Sequence, residues 1–333
     1  MTAPAVSVLM PVWNAAATLR AAAASIQRQT LPDWEMLLVN DGSTDESGEL
    51  ADQLAREDAR IRVVHTPHRG IVAALNTAAG AARGCLIARM DADDLSLPHR
   101  LAAQRALIEA DPDLGLCGGV VRITGESVGP GARRYETWVN SLLGHGDIVR
   151  EILVECPVPH PTFLMPRALF EELGGYRDCG WPEDYDLALR VWLAGKRIAK
   201  PPLPVLHWRE HGRRLSRTDP RYGEAAFRRC KRHFLFQSGL PAGRRLFQWG
   251  AGEVGKRWLR EWDAPRPEAV VDINPRKIGR VIHGARVIAP QELPPPGGVF
   301  VVAAVGTPGA RDDIRTKLLP RGYTEGTDFL FLA

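Results

Sequence analysis

The stretch RMDADDLSLPHR, residues 89–100, sets Asp91, Asp93 and Asp94 almost side by side. A short apolar run, Cys85 to Met90, leads into it, and Pro98 follows. Carboxylates this close repel one another, the more so when partly buried. The spacing therefore predicts a positive partner at this place. A D-x-D pair on one side of a turn can share a divalent cation and a hydroxylated ligand. Mg²⁺ or Mn²⁺ takes carboxylates together with phosphate oxygens. Aspartate pairs are also common in plain turns, so the pattern takes its meaning from the elements around it.

Those elements alternate. VSVLMP (residues 6–11), WEMLLVND (34–41), IRVVH (61–65) and GCLIARMD (84–91) read as strands. Between them, NAAATLRAAAASIQRQT, STDESGELADQLARED and GIVAALNTAAGAAR carry helical spacing, with Ser43 and Thr44 as candidate caps of the second. A βαβαβαβ order predicts an α/β fold, a mostly parallel sheet flanked by helices. Ligands of such sheets bind beyond the carboxyl ends of the strands. PVWN, NDGSTD and DADD all fall at such ends. Residues 101–232 are less regular, with helical stretches between loops rich in proline, glycine and tryptophan, and such loops carry function more often than packing.

A second unit starts near Arg244. RRLFQWGAGEVGKRWLREW reads as strand, glycine turn and helix. Gly250, Gly252 and Gly255 fit G-x-G-x-x-G, and Asp272 ends the next strand about 20 residues on, as a dinucleotide fingerprint requires. Residues 244–333 are too few for both halves of a full dinucleotide domain, and no hydride-transfer residues accompany the motif. Two readings stand: binding without chemistry, in which the turn meets a diphosphate and Asp272 a ribose, or glycines that only permit a tight turn and close helix packing.

The chain has 333 residues, enough for two domains, with 45% hydrophobic and 25% charged residues, as in soluble globular proteins. The net charge of +4 comes from scattered arginines. Scatter of this kind predicts a solvated surface and no nucleic-acid partner. Five cysteines without a close metal-type pair read as reduced thiols. No apolar run reaches a membrane span, and the first strand pattern begins without a signal peptide. A cytoplasmic protein is expected, with peripheral contact at the inner face of the membrane as an option.

In their order along the chain, SVLMPVWNAAATLRAAAASIQRQTLPDWEMLLVNDGSTDES, GIVAALNTAAGAARGCLIARMDADDLSLPHRL, HPTFLMPRALFEELGGYRDCGWPEDYDLALRVWLAGK and WREHGRRLSR resemble a family 2 glycosyltransferase with the GT-A fold, over roughly residues 5–220. The resemblance implies a metal-dependent, inverting transfer from a nucleotide-sugar, of which a UDP-sugar is the first expectation. The implied acceptor is a saccharide or lipid-linked saccharide in surface-polymer assembly. It implies that Pro11, Val12 and Asp41 contact the nucleotide base, with Trp13 an aromatic near it. Asp91 and Asp93 would meet the ribose and the Mg²⁺ or Mn²⁺ ion, Asp94 would be an outer acid, and His211 would complete the metal site. In WPEDYDL, Asp184 matches the general base, with Glu183 orienting acceptor or base and Asp186 as rival. Read as residues alone, these acids simply suit a helix N-terminus. His160 and Trp181 are placed near the acceptor by position.

Two departures stand out. Where many relatives carry arginine before the asparagine of the third helix, this chain has Leu75, so that contact would fall to Arg69 or a later arginine such as Arg213, Arg214 or Arg217. The Q-x-x-R-W signature of processive synthases is absent, which favours single-sugar transfer. The expected domains are 1–236, GT-A; 237–243, linker; and 244–333, a small Rossmann-like domain similar to that at the front of some polysaccharide-biosynthesis proteins. The rival reading is a catalytically inactive nucleotide-binding regulatory or scaffold protein, against which intact Asp91, Asp93 and Asp184 argue.

Overall fold

Strands β1 (Val6–Val12) and β2 (Trp34–Asp41) are buried along nearly their whole length, as central strands of a helix-covered parallel sheet must be. Their one buried polar pair lies in register: Ser7 Oγ donates to Glu35 Oε1 at 2.7 Å. Glu35 also pairs with Arg62 at 2.9 Å. Helix α1 (Ala16–Gln27) buries Leu19, Ala22, Ala23 and Ile26 against this sheet, the one-face spacing of an amphipathic helix.

The computed structural model describes residues 3–125 and 128–333. They group into two compact units, residues 3–125 and 128–148 with Pro157–Gly223, and Val149–Cys156 with Glu224–Ala333.

In the first unit, α2 (Ser47–Glu57), β3 (Ile61–Thr66), α3 (Ile71–Ala81) and β4 (Leu86–Arg89) complete the predicted alternation. The sheet order is β3-β2-β1-β4, all parallel. It continues through β8 (Leu164–Pro166), β6 (Leu114–Cys117) and β9 (Arg197–Ala199), with β8 antiparallel to both neighbours. A second, three-stranded sheet runs β5 (Leu95–Ser96), β10 (Pro204–Arg209), β7 (Val120–Thr124). Helices α4 (Arg100–Ala110), α5 (Pro130–Ser141), α6 (His145–Glu151), α7 (Arg167–Glu172), α8 (Glu183–Leu193) and α9 (Leu215–Thr218) fill the connections.

Ser43 and Thr44 do not cap α2, which starts without a side-chain cap. The β2–α2 loop reaches across to α1 instead. Ser43 Oγ, Ser47 Oγ and Asp45 Oδ2 accept the backbone N–H groups of Asn14, Ala15 and Ala16 at 3.0, 2.8 and 3.1 Å. The Ala15 and Ala16 groups are among the orphan donors that open any helix, so the loop ties the turn after β1 to the turn after β2.

The second unit begins with α10 (Glu224–Gln237), then β11 (Arg245–Trp249), α11 (Glu253–Glu261), β12 (Ala269–Val271), β13 (Val281–Ile282), β14 (Ala285–Ile288), β15 (Val299–Ala303), α12 (Ala310–Leu318) and β16 (Phe329–Phe331). Its sheet order is β13-β14-β12-β11-β15-β16, parallel except for the β13–β14 hairpin. Helix α10 groups here by packing, although a boundary at residue 236 would leave it outside. Its Lys231 Nζ donates to the carbonyls of Val154 and Leu332 at 2.6 and 3.1 Å. Phe236 packs edge-on to Trp262 at 6.0 Å. Among the described residues, no helix is long and apolar enough to cross a membrane.

Candidate active site

β4 delivers the aspartates. Asp91, Asp93 and Asp94 each place one carboxylate oxygen within 4.8 Å of the others. Arg89, the last residue of β4, is buried and ion-paired with Asp91. The antiparallel pairing of β5 with β10 sets Leu95 against His207 and so carries the chain after β10 back to this turn. There His211 Nε2 lies 2.8 Å from Asp93 Oδ2. Asp94 is buried. Its Oδ1 accepts the Arg209 N–H at 2.7 Å, and its Oδ2 has no partner. Burial, then the charges of Asp91 and Asp93, push the Asp94 carboxyl well above the usual carboxylate range. The residues fit a divalent cation, because Asp91, Asp93 and His211 together offer carboxylate oxygens and an imidazole nitrogen at one turn. Asp91, Asp93 and His211 would hold it.

The loops after β1 and β2 lie at the same carboxyl edge of the sheet. The Val12 side chain is in the core, which leaves its backbone for contacts, while Pro11 is half-buried. Trp13 is 54% exposed and stacks on His68 with ring centroids 4.7 Å apart. Asp41 is buried and holds the turn before α3. It accepts the N–H groups of Arg69 and Gly70 at 2.9 and 2.8 Å and pairs with His68 Nδ1 at 2.9 Å. The Thr66 hydroxyl also donates to Asp41 Oδ1 at 3.4 Å, so the roughly four acceptor sites of this carboxylate are engaged by the turn itself, and a base edge would have to displace one of these donors.

WPEDYDL opens α8, and its three acids differ sharply. Glu183 is buried, and the Tyr222 hydroxyl lies 2.7 and 2.9 Å from its two oxygens. Burial raises the Glu183 carboxyl, while the Tyr222 hydrogen bond opposes the rise. Buried His160 sits 3.6 Å from Glu183 and 2.9 Å from the Tyr176 hydroxyl. Burial, then the Arg89 charge, holds His160 well below the ordinary histidine value and so neutral near pH 7. Asp184, next after Glu183 in sequence, is half-buried. Asp186 is buried, with Arg190 Nε at 2.7 Å and Trp181 Nε1 at 3.0 Å. That pairing makes Asp186 part of the α8 packing. Asp186→Ala would strand the buried Arg190 guanidinium and should cost about 3–5 kcal/mol, read by urea denaturation. A loss under ~1 kcal/mol would contradict this assignment.

Leu75 is fully buried, and Asn76 beside it pins the segment after α7: its amide donates to the Tyr176 carbonyl at 2.9 Å and its oxygen accepts the Tyr176 N–H at 3.0 Å. Arg69 and Arg213 are exposed. Arg214 and Arg217 both face Glu210, at 3.5 and 2.5 Å, and Arg214 also covers the Trp208 ring at 4.5 Å. Tyr222 and Arg89 escaped the sequence reading. Tyr222 stands 39 positions from its partner Glu183, and no local pattern marks it. Gly250, Gly252, Gly255 and Asp272 lie together in the second unit, around the end of β11.

A glycosyl transferase family 2 model matches residues 7–174, and the chain belongs to that family. A glycosyltransferase of Haemophilus influenzae is 29% identical over 220 residues, spanning 64% of this chain and 68% of that protein. The Bacillus subtilis glycosyltransferase EpsJ is 46% identical over 91 residues, which is 27% of this chain and 26% of EpsJ. The chain thus spans about a quarter of one of these relatives and two thirds of the other. Among solved structures, Staphylococcus aureus TarS 1–349 in complex with UDP-GlcNAc superposes with a TM-score of 0.54 at 15% identity, over 77% of this chain and 78% of that one. The mannosyltransferase PcManGT from Pyrobaculum calidifontis, in complex with GDP-Man and Mn²⁺, gives 0.51 at 24% identity, over 73% and 65%. These likenesses establish the GT-A fold.

Proposed function

We propose that the chain is a metal-dependent, inverting glycosyltransferase. It moves a sugar from a nucleotide-sugar to a hydroxyl of a saccharide or lipid-linked saccharide in polysaccharide biosynthesis. The observation that carries this reading is the carboxylate cluster of Asp91, Asp93 and Asp94, with His211 against Asp93, at the carboxyl edge of a parallel sheet. The nucleotide base lies at the Trp13–Asp41 edge, against the Pro11 and Val12 backbone. A divalent ion at the carboxylate cluster supplies charge stabilisation to a departing diphosphate. Asp184 takes the proton of the acceptor hydroxyl as its oxygen attacks the anomeric carbon from the face opposite the diphosphate. Glu183, fixed by Tyr222, holds the start of α8 in place. UDP-sugars are the first donors to try, with GDP-sugars next, since the fold neighbours hold both kinds. Peripheral contact with the inner face of a membrane would follow from a lipid-linked acceptor.

The test is a donor screen that follows nucleoside diphosphate release with Mn²⁺, Mg²⁺ or chelator. One donor class should give release that chelator suppresses about a hundredfold or more, equivalent to ~3 kcal/mol. Release at the same rate in chelator would refute metal dependence. Donor binding with no release, across the acceptor panel, would favour the inactive scaffold reading.

A further inference from the structure

In the second unit a cavity of about 610 Å³ opens at the carboxyl ends of β11, β12 and β15. That is within the ~300–1,000 Å³ of small-molecule sites. β11 lies between β12 and β15, so the connections leave it in opposite directions, the switch point at which open α/β sheets take ligands. From this cavity, we propose that the second unit binds a nucleoside diphosphate group, independently of the transferase reading.

The three glycines separate the fold's needs from the ligand's. A Cβ on Gly255 would stand 1.9 Å from the Gly250 carbonyl oxygen, and one on Gly250 would stand 2.5 Å from Val305. Gly250 also has φ of +109°. Packing and backbone therefore demand both. Gly252 has an ordinary φ of −79°, and a Cβ there would meet nothing within 4 Å. The fold does not require glycine at 252, yet this residue lines the cavity and opens α11, which starts without a side-chain cap. Backbone there can approach an anion closely, and the helix end favours one.

The rest of the site is preformed. Buried Gln248 donates to the carbonyls of Gly250 and Gly255, both at 2.9 Å, and so staples the turn. Asp272 is not free for a ribose: it accepts the N–H groups of Ala251 and Asn274 at 2.9 and 2.8 Å and pairs with Lys277 at 3.1 Å. Of the other lining acids, Glu253 pairs with Lys256 at 2.9 Å, while Lys317 Nζ donates to the main-chain carbonyl of Asp313 at 3.3 Å. The cavity is otherwise mainly apolar, and Ile273 on its rim is 62% exposed. The flat face of a base would cover that side chain, with the diphosphate at Gly252 and Lys317 alongside. One such nucleotide half suits the five parallel strands better than a full dinucleotide.

The test uses the full chain, because the core of this unit includes Val154 from far outside residues 244–333. Calorimetric titrations with ADP, UDP, GDP and NAD would be run in chelator on the wild type, Gly252→Asp, Lys317→Gln and Asp93→Asn. At least one nucleotide should bind with Kd near or below ~100 μM. Gly252→Asp should weaken it about tenfold or more and Lys317→Gln severalfold, while Asp93→Asn leaves it unchanged. Should Gly252→Asp melt early, Lys317→Gln alone decides. NAD binding as well as ADP would identify the adenylate end as the ligand, and UDP or GDP binding more tightly would identify a donor-type nucleotide. The proposal is overturned if nothing saturates, if Asp93→Asn removes the binding, or if neither Gly252→Asp nor Lys317→Gln weakens it.

Discussion

Asp93→Asn should lower metal-dependent turnover by about a thousandfold while leaving the fold intact. Loss of one carboxylate from a cation site removes several kcal/mol of stabilisation from a departing diphosphate, and each ~1.4 kcal/mol is a tenfold rate change. The fold should not suffer, because Asp93 is half-buried and its carboxylate pairs with the partly exposed His211 ring. Asparagine keeps the shape and a hydrogen bond to that ring. It also removes one of the charges that disfavour ionisation of buried Asp94, so the metal-free variant should melt at or slightly above the wild-type temperature. Mn²⁺ should raise the melting temperature of the wild type and not of the variant, since only a state that binds the ion is stabilised by it. Near-normal activity of chelator-treated Asp93→Asn would remove the metal from this site. Loss of activity with a collapsed melting temperature would instead mark Asp93 as structural.

How far the site could be read in advance depended on how local its causes were. The strand–helix alternation of residues 6–91 is a periodicity within single elements, and the parallel pairing of the first four strands followed from it, though their order β3-β2-β1-β4 did not. The D-x-D turn was legible for the same reason, because an apolar strand running into acids is a contiguous signal. The three-stranded sheet was not. β5 is two residues long, and its partner β10 lies more than a hundred positions away, so only tertiary pairing defines either. That pairing is nevertheless what brings His211 to Asp93. The acids of α8 show the limit most clearly. Three carboxylates in one helical turn look equivalent in sequence, and the helix dipole favours all of them alike. Burial separates them, and so do distant partners: Tyr222 for Glu183, and Arg190 with Trp181 for Asp186. In the second unit the glycines were legible as a turn. Which of them the fold itself requires depends on Val305 and on the Gly250 carbonyl, atoms that only the packed structure brings near.

Asp184→Asn should keep nucleotide-sugar binding within about twofold and lose about 10²–10⁴ in transfer to the acceptor, the usual worth of a positioned general base. The assignment rests on elimination among neighbours as much as on resemblance. Asp186 is occupied by Arg190 and Trp181, and Glu183 is buried with a phenol on both of its oxygens. Burial raises the Glu183 carboxyl, and at 1% exposure it is out of reach of an acceptor hydroxyl arriving from solvent. Asp184 alone of the three is not buried. Tyr222→Phe offers a second, independent check. It removes the hydroxyl that holds Glu183, and an unsatisfied buried carboxylate costs about 1–3 kcal/mol or more. It should therefore destabilise the fold and lower turnover through misplacement of α8, with a smaller effect on rate than Asp184→Asn. Single-turnover measurement with saturating donor separates the cases. A loss confined to acceptor transfer places the base at Asp184. An equal loss in donor affinity moves Asp184 to the donor side, and a larger rate effect at Glu183→Gln than at Asp184→Asn moves the base by one residue.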